Sequence, residues 1–95
     1  MSQTVELPRV GRPGTGTGGP WRVVVLNDDF NTIDHVAETV ASVIPAVTLG
    51  EGYRLADRIR NAGCAIVWSG AREDAEAYWE RLGNAGLTMA PLEGG

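Results

Sequence analysis

The sequence predicts an α+β domain of two layers. Its element order is β-α-α-β-α-β, with a three-stranded antiparallel sheet, strand one central, and three helices on one face. Three observations lead there. Short apolar runs occur at Trp21–Leu26, Cys64–Trp68 and Leu87–Leu92, the length and composition of strands. The stretches between them repeat their apolar residues at helical spacing. Direction then follows from counting. Two helices between strands one and two return the chain antiparallel, while one helix between strands two and three leaves that pair parallel. With strand one between the others, every neighbouring pair is antiparallel, and the helices cover one sheet face.

Residues 1–20 hold three prolines and five glycines and few large apolar side chains. That composition predicts a flexible arm. Its G-T-G-T-G-G run follows no strand and leads to no Gly-Lys-Ser/Thr, so it is a poor phosphate loop. Strand one carries the unbroken run Val23-Val24-Val25-Leu26, which predicts burial on both faces. After Asn31-Thr32, the residues Ile33, Val36, Ala37, Val40, Val43 and Ile44 form one helical face that Pro45 ends. Asp34 in its first turn suits the helix dipole.

Thr48 and Glu51 have the spacing of a capping box for the second helix. Leu49, Tyr53, Ala56 and Ile59 are its expected apolar face, and Asn61-Ala62-Gly63 its stop. Cys64 opens strand two, where its apolar neighbours predict a buried, inert thiol. Ser69-Gly70 turns into a third helix with Ala75, Tyr78, Trp79 and Leu82 inward, ended by Gly83 or Gly86. Strand three runs to Leu92, confined to an edge or terminus by Pro91. Glu93-Gly94-Gly95 reads as a frayed tail.

Composition narrows the function. The 95 residues suffice for one domain, and the 43% hydrophobic content for a small core. Net charge is -4 with no basic cluster, which disfavours nucleic acid. A single cysteine allows no internal disulfide and no cysteine-based zinc site. No apolar stretch has the length of a membrane span, and residues 1–20 lack a signal core, so the cytoplasm is expected. No metal set or cofactor loop is present, and no cofactor is expected. Asp28, Asp29, His35 and Glu38 are the one acid–base cluster, and nothing among them sets up an activated nucleophile. An enzyme is therefore the least favoured class. His35 reads as a satisfied surface histidine.

The turn Asn27-Asp28-Asp29-Phe30-Asn31-Thr32 carries the chemistry. A rigid strand here delivers an amide and two carboxylates to a helix start, a set suited to a cationic, hydrogen-donating group such as a peptide amine. On these residues alone, a capped strand–helix turn without a ligand is the preferred reading, since Asn, Asp and Thr are ordinary turn and N-cap formers.

The Asn-Asp-Asp turn, the Thr32-Ile33 helix entry, the segment Gly63-Cys64-Ala65-Ile66-Val67 and the Arg72-Glu73-x-Ala75-Glu76 helix start together resemble the ClpS family. The resemblance covers about residues 21–93, preceded by an arm like the family's N-terminal extension. It implies an adaptor, not an enzyme. Such an adaptor binds the N-terminal residue of a protein destined for degradation, preferably Phe, Tyr, Trp or Leu. It delivers that protein to the ClpA or ClpC unfoldase of the Clp protease. The resemblance carries Asn27 and Asp28 over as ligands of the α-amino group, with Asp29 beside them and Thr32 on the peptide backbone. Ile33 takes the place of a hydrophobic gatekeeper. Val36 and Ile59 would line opposite walls of the pocket. Arg72, Glu73 and Glu76, with neighbouring surface, would meet the unfoldase.

The sequence departs from the family in two places. Arg60 stands where the family has a pocket histidine. Arginine only donates and stays positive, so an inward Arg60 would repel an ammonium or neutralise Asp28. Tyr78 replaces a basic residue usual at the unfoldase contact. A ClpS-like peptide-binding domain with lost or altered ligand specificity is therefore the alternative.

Overall fold

The computed structural model describes residues 19–94, so most of the expected flexible arm lies outside the described residues. The elements are β1 (Trp21–Leu26), α1 (Ile33–Val43), α2 (Leu49–Ala62), β2 (Cys64–Gly70), α3 (Arg72–Asn84) and β3 (Thr88–Met89). The sheet order is β2-β1-β3, and β1 is antiparallel to both neighbours. The α+β class and the central first strand are as the direction count predicts.

The caps explain where the helices begin. Thr32 accepts a hydrogen bond from His35 N at the start of α1. At α2 the full capping box forms: Thr48 accepts from Glu51 N, and Glu51 Oε1 accepts from Thr48 N. Gly63 ends α2 at φ 93°, a conformation that favours glycine. Ala71 precedes α3 without a side-chain cap, since alanine has no acceptor to offer.

The core lies between the sheet and the helices. Val23, Val25, Ala65 and Val67 meet Val36, Ala37, Val40, Ile44, Ala56, Ile59, Ala75, Leu82 and Leu87. α1 and α2 approach closely where Gly52 lies against Ala37: a Cβ on Gly52 would stand 2.5 Å from the Ala37 carbonyl oxygen.

The burial expected along strands one and two fails for one physical reason: among the described residues nothing covers one face of the sheet. Strand one is not buried on both faces: Val23 and Val25 are buried, while Val24 and Leu26 are half-buried. Cys64, opposite Leu26, is exposed rather than buried, and Ile66, opposite Val24, is 52% exposed. The inner face of α2 is also rotated from the expected one. Gly52, Ala56 and Ile59 are buried and Leu55 half-buried, whereas Leu49 and Tyr53 are exposed. Tyr53 instead donates its hydroxyl to Asp34 Oδ1 at 2.6 Å.

β3 is two residues long rather than six. Ala90 N still donates to Val24 O, but Pro91 has no N–H, and pairing resumes only at an Arg22–Glu93 bridge. Glu93 is thus tied to the sheet rather than frayed, and Gly94 packs on the Trp21 ring.

Candidate functional site

β1 ends at the bottom of the sheet and releases the chain into the Asn27–Thr32 turn. Asn27 N donates to Gly63 O at 2.9 Å, which ties the turn to the α2–β2 junction. The Asp28 carboxylate organises the rest of the turn. Its Oδ1 accepts from Phe30 N at 2.9 Å and Asn31 N at 2.8 Å. Its Oδ2 accepts from Asn31 Nδ2 at 2.7 Å and from the Thr88 hydroxyl at 2.6 Å. Four donors saturate a carboxylate. The Thr88 hydroxyl, followed by the Asn31 amide, holds the Asp28 carboxyl well below the usual carboxylate range, against a smaller opposing effect of burial.

Two further bonds fasten the turn to the α3–β3 loop. Asn31 Nδ2 donates to Gly86 O at 3.0 Å, and His35 Nε2 lies 3.1 Å from Ala85 O, where it donates. Gly86, at φ 101°, lets the loop present that carbonyl. His35 is thereby a satisfied surface histidine.

Asn27, Asp28, Val36 and Ile59 come together around one small cleft. Val25, Leu26, Asn31, Leu87 and Thr88 complete its lining. The floor is apolar and the rim polar. The cavity volume is about 10 Å³, room for about one water, so a large side chain enters only if the lining moves.

The other expected residues stand outside this lining. Asp29 is exposed within the turn. The Thr32 oxygen is occupied by the cap to His35 N. Ile33 is half-buried against the core. Arg60 is exposed in the last turn of α2. Among the described residues its guanidinium makes no ion pair, so the pairing of Arg60 with Asp28 does not occur. Asn31, Leu87 and Thr88 join the cleft without standing out in the sequence. Thr88 is 60 positions from Asp28, and no local pattern announces such a bond.

Arg72, Glu73 and Glu76 lie exposed on the first turns of α3. Arg72 Nε donates to Glu76 Oε2 at 3.1 Å, and its guanidinium stands 5.1 Å from the Trp21 ring centroid. Among the described residues no helix is long and apolar enough to cross a membrane, and no group of three potential ligands could hold a metal ion.

Comparison with known proteins agrees with this architecture. Residues 17–93 match the model of the family described as ATP-dependent Clp protease adaptor protein ClpS. The chain is 51% identical over 73 residues to the ATP-dependent Clp protease adapter protein ClpS of Thermosynechococcus vestitus, covering 77% of this chain and 78% of that protein. The protein of the same name from a Nostoc strain is 51% identical over 73 residues, covering 77% and 75%. That of a Synechocystis strain is 47% identical over 73 residues, covering 77% and 74%. With the whole sheet and all three helices inside the matched span, the chain belongs to the ClpS family, whose members are Clp protease adaptors rather than enzymes.

Proposed function

We propose that this protein is a cytoplasmic adaptor that binds the N-terminal residue of substrate polypeptides and delivers them to a Clp AAA+ unfoldase of the ClpA or ClpC type. Residues 21–93 are the adaptor domain and residues 1–20 its N-terminal arm. The preferred first residue is large and apolar. The observation that carries this is the cleft itself, an apolar floor of Val36, Ile59 and Leu87 beneath the polar rim of Asn27 and Asp28. An α-amino group offers only donors and carries positive charge, so it seeks carbonyl and carboxylate oxygens.

The saturation of Asp28 refines its role. Its oxygens are committed to the turn, so it contributes negative potential and holds Asn27 and Asp29 in place. The Asn27 carboxamide and the Asp29 carboxylate are the acceptors left for the amine. Ile33 stands at the entrance, and Thr32 retains its hydroxyl proton for the peptide backbone. Arg60 weakens the site through its charge rather than by occupying Asp28. Arg72, Glu73 and Glu76 form the unfoldase contact.

Calorimetry with a Phe-initiated peptide and its N-acetylated twin tests the reading. Binding by the free amine alone is expected. Arg60→His should strengthen it by about tenfold, the effect of removing one nearby repulsive charge of about 1.4 kcal/mol. Asn27→Ala or Asp29→Ala should weaken it about tenfold or more, as for a hydrogen bond to a charged group. Equal binding of the acetylated peptide would end the amine-site reading. Binding that appears only in Arg60→His would favour a ClpS-like domain retuned to another ligand.

A further inference from the structure

We propose that the groove between α2 and the free edge of β2 is a second peptide site, which takes an extended segment with a large apolar side chain between two acidic ones. The groove has a volume of about 370 Å³ and is lined by Ala46, Val47, Glu51, Arg54, Leu55, Arg58, Val67 and Trp68. It shares no lining residue with the cleft at the Asn27 turn. Trp68 pairs with Val23, toward the other end of β1 from that turn.

Three features on this face agree on one occupant. The first is a free sheet edge. β2 is the outer strand of the order β2-β1-β3, so among the described residues its outward N–H and C=O groups meet no strand. Such an edge accepts an extended peptide through main-chain hydrogen bonds. The second is a local irregularity in β2. The register skips between Val23 and Val24, leaving Val67 as the extra residue. A bulge re-aims side chains, and here the consecutive residues Val67 and Trp68 both line the groove. With Val47 and Leu55 they make an apolar floor.

The third feature is charge. Arg54 and Arg58 are one helical turn apart on α2, on one face, and both border the groove. Among the described residues the ion pairs are Arg22–Glu93 and Arg72–Glu76, so neither arginine has a carboxylate partner there. The one acid on this rim, Glu51, has an oxygen engaged in the α2 cap. The rim is therefore net positive over an apolar floor. In a strand, alternate side chains face the same way. A peptide with acidic, apolar and acidic residues at alternate positions would pair with the edge, seat its apolar side chain on Trp68 and meet the arginines.

NMR titration of the full chain with N-acetyl-Asp-Thr-Phe-Thr-Asp-amide tests this, since the blocked amine removes the first site from play. Amide shifts over Glu51–Arg58 and Ile66–Ser69 are expected. The Asn-Thr-Phe-Thr-Asn twin should bind about three- to tenfold more weakly, as should the acidic peptide to Arg54→Gln/Arg58→Gln, the range for losing two exposed charge contacts. Methylating alternate peptide nitrogens should abolish binding for one set and spare it for the other. Equal binding of both peptides, the same binding by both methylated sets, or no shift at about millimolar peptide overturns the proposal. Shifts at these amides on diluting the protein alone would assign the groove to a second copy, and shifts with anionic vesicles but not with peptide would assign it to a lipid surface. Either result overturns it.

Discussion

Asp28→Ala should destabilise the fold more than an exposed-turn substitution normally does. The replacement removes four hydrogen bonds at once, at 2.6 to 2.9 Å. A hydrogen bond to a charged group contributes about 1.5–3 kcal/mol in protected sites. Those from Phe30 N and Thr88 are exposed and those from Asn31 part-buried, so each is discounted for solvent. Some donors also keep a partner, since Asn31 Nδ2 still reaches Gly86 O. A net loss of about 2–3 kcal/mol remains, which for a domain of this size lowers Tm by about 10–20 °C. Asp28→Asn should cost less, because its carbonyl still serves Phe30 N and Asn31 N while its amide opposes Asn31 Nδ2. Thermal melts by circular dichroism read both. The pH dependence has a definite sign. The folded-state pKa is depressed, so the stabilisation is complete above the unfolded-state value and is lost as pH falls through the folded one. The gap between natural and Asp28→Ala proteins should hold from neutral pH to about pH 4 and close below it. A Tm change under about 3 °C, or a gap that closes nearer neutrality, would refute the assignment of Asp28 as the organiser of the turn.

Gly52→Ala reverses the ordinary propensity rule. In an open helix alanine gains about 1 kcal/mol over glycine, but here its Cβ would press on the Ala37 carbonyl at 2.5 Å, and denaturant titration should show a loss of about 1–3 kcal/mol. Glu73→Arg/Glu76→Arg reverses two exposed charges on α3 and breaks the Arg72–Glu76 pair, so pull-down of the unfoldase should fall about tenfold or more. Undiminished capture would remove that surface from the proposed contact. Cys64 is exposed on the open sheet face, so a thiol reagent should modify it in the native protein without denaturant. Reaction only after unfolding would contradict the uncovered face.

Local chemistry is legible in the sequence wherever neighbours along the chain decide the outcome. Thr48 and Glu51 announce the α2 cap, Thr32 the α1 start and Gly63 the α2 stop, because capping uses atoms three or four residues apart. The central place of β1 follows from helix count and strand direction alone. Burial is not legible, because it depends on what covers a face. The direction count places the helices on one face, but the unbroken Val23–Leu26 run reads as buried on both, so Val24, Ile66 and Cys64 read as deeper than they lie. The rotation of the α2 inner face is set by Gly52 packing on Ala37, a contact between helices. In the turn, the residue types of the candidate site are evident in the order Asn27-Asp28-Asp29, but their division of labour is not. Thr88 and Gly86 reach the turn from beyond α3. Only the folded chain brings those donors and acceptors within bonding distance, turning Asp28 from an open acceptor into the fixed centre of the loop.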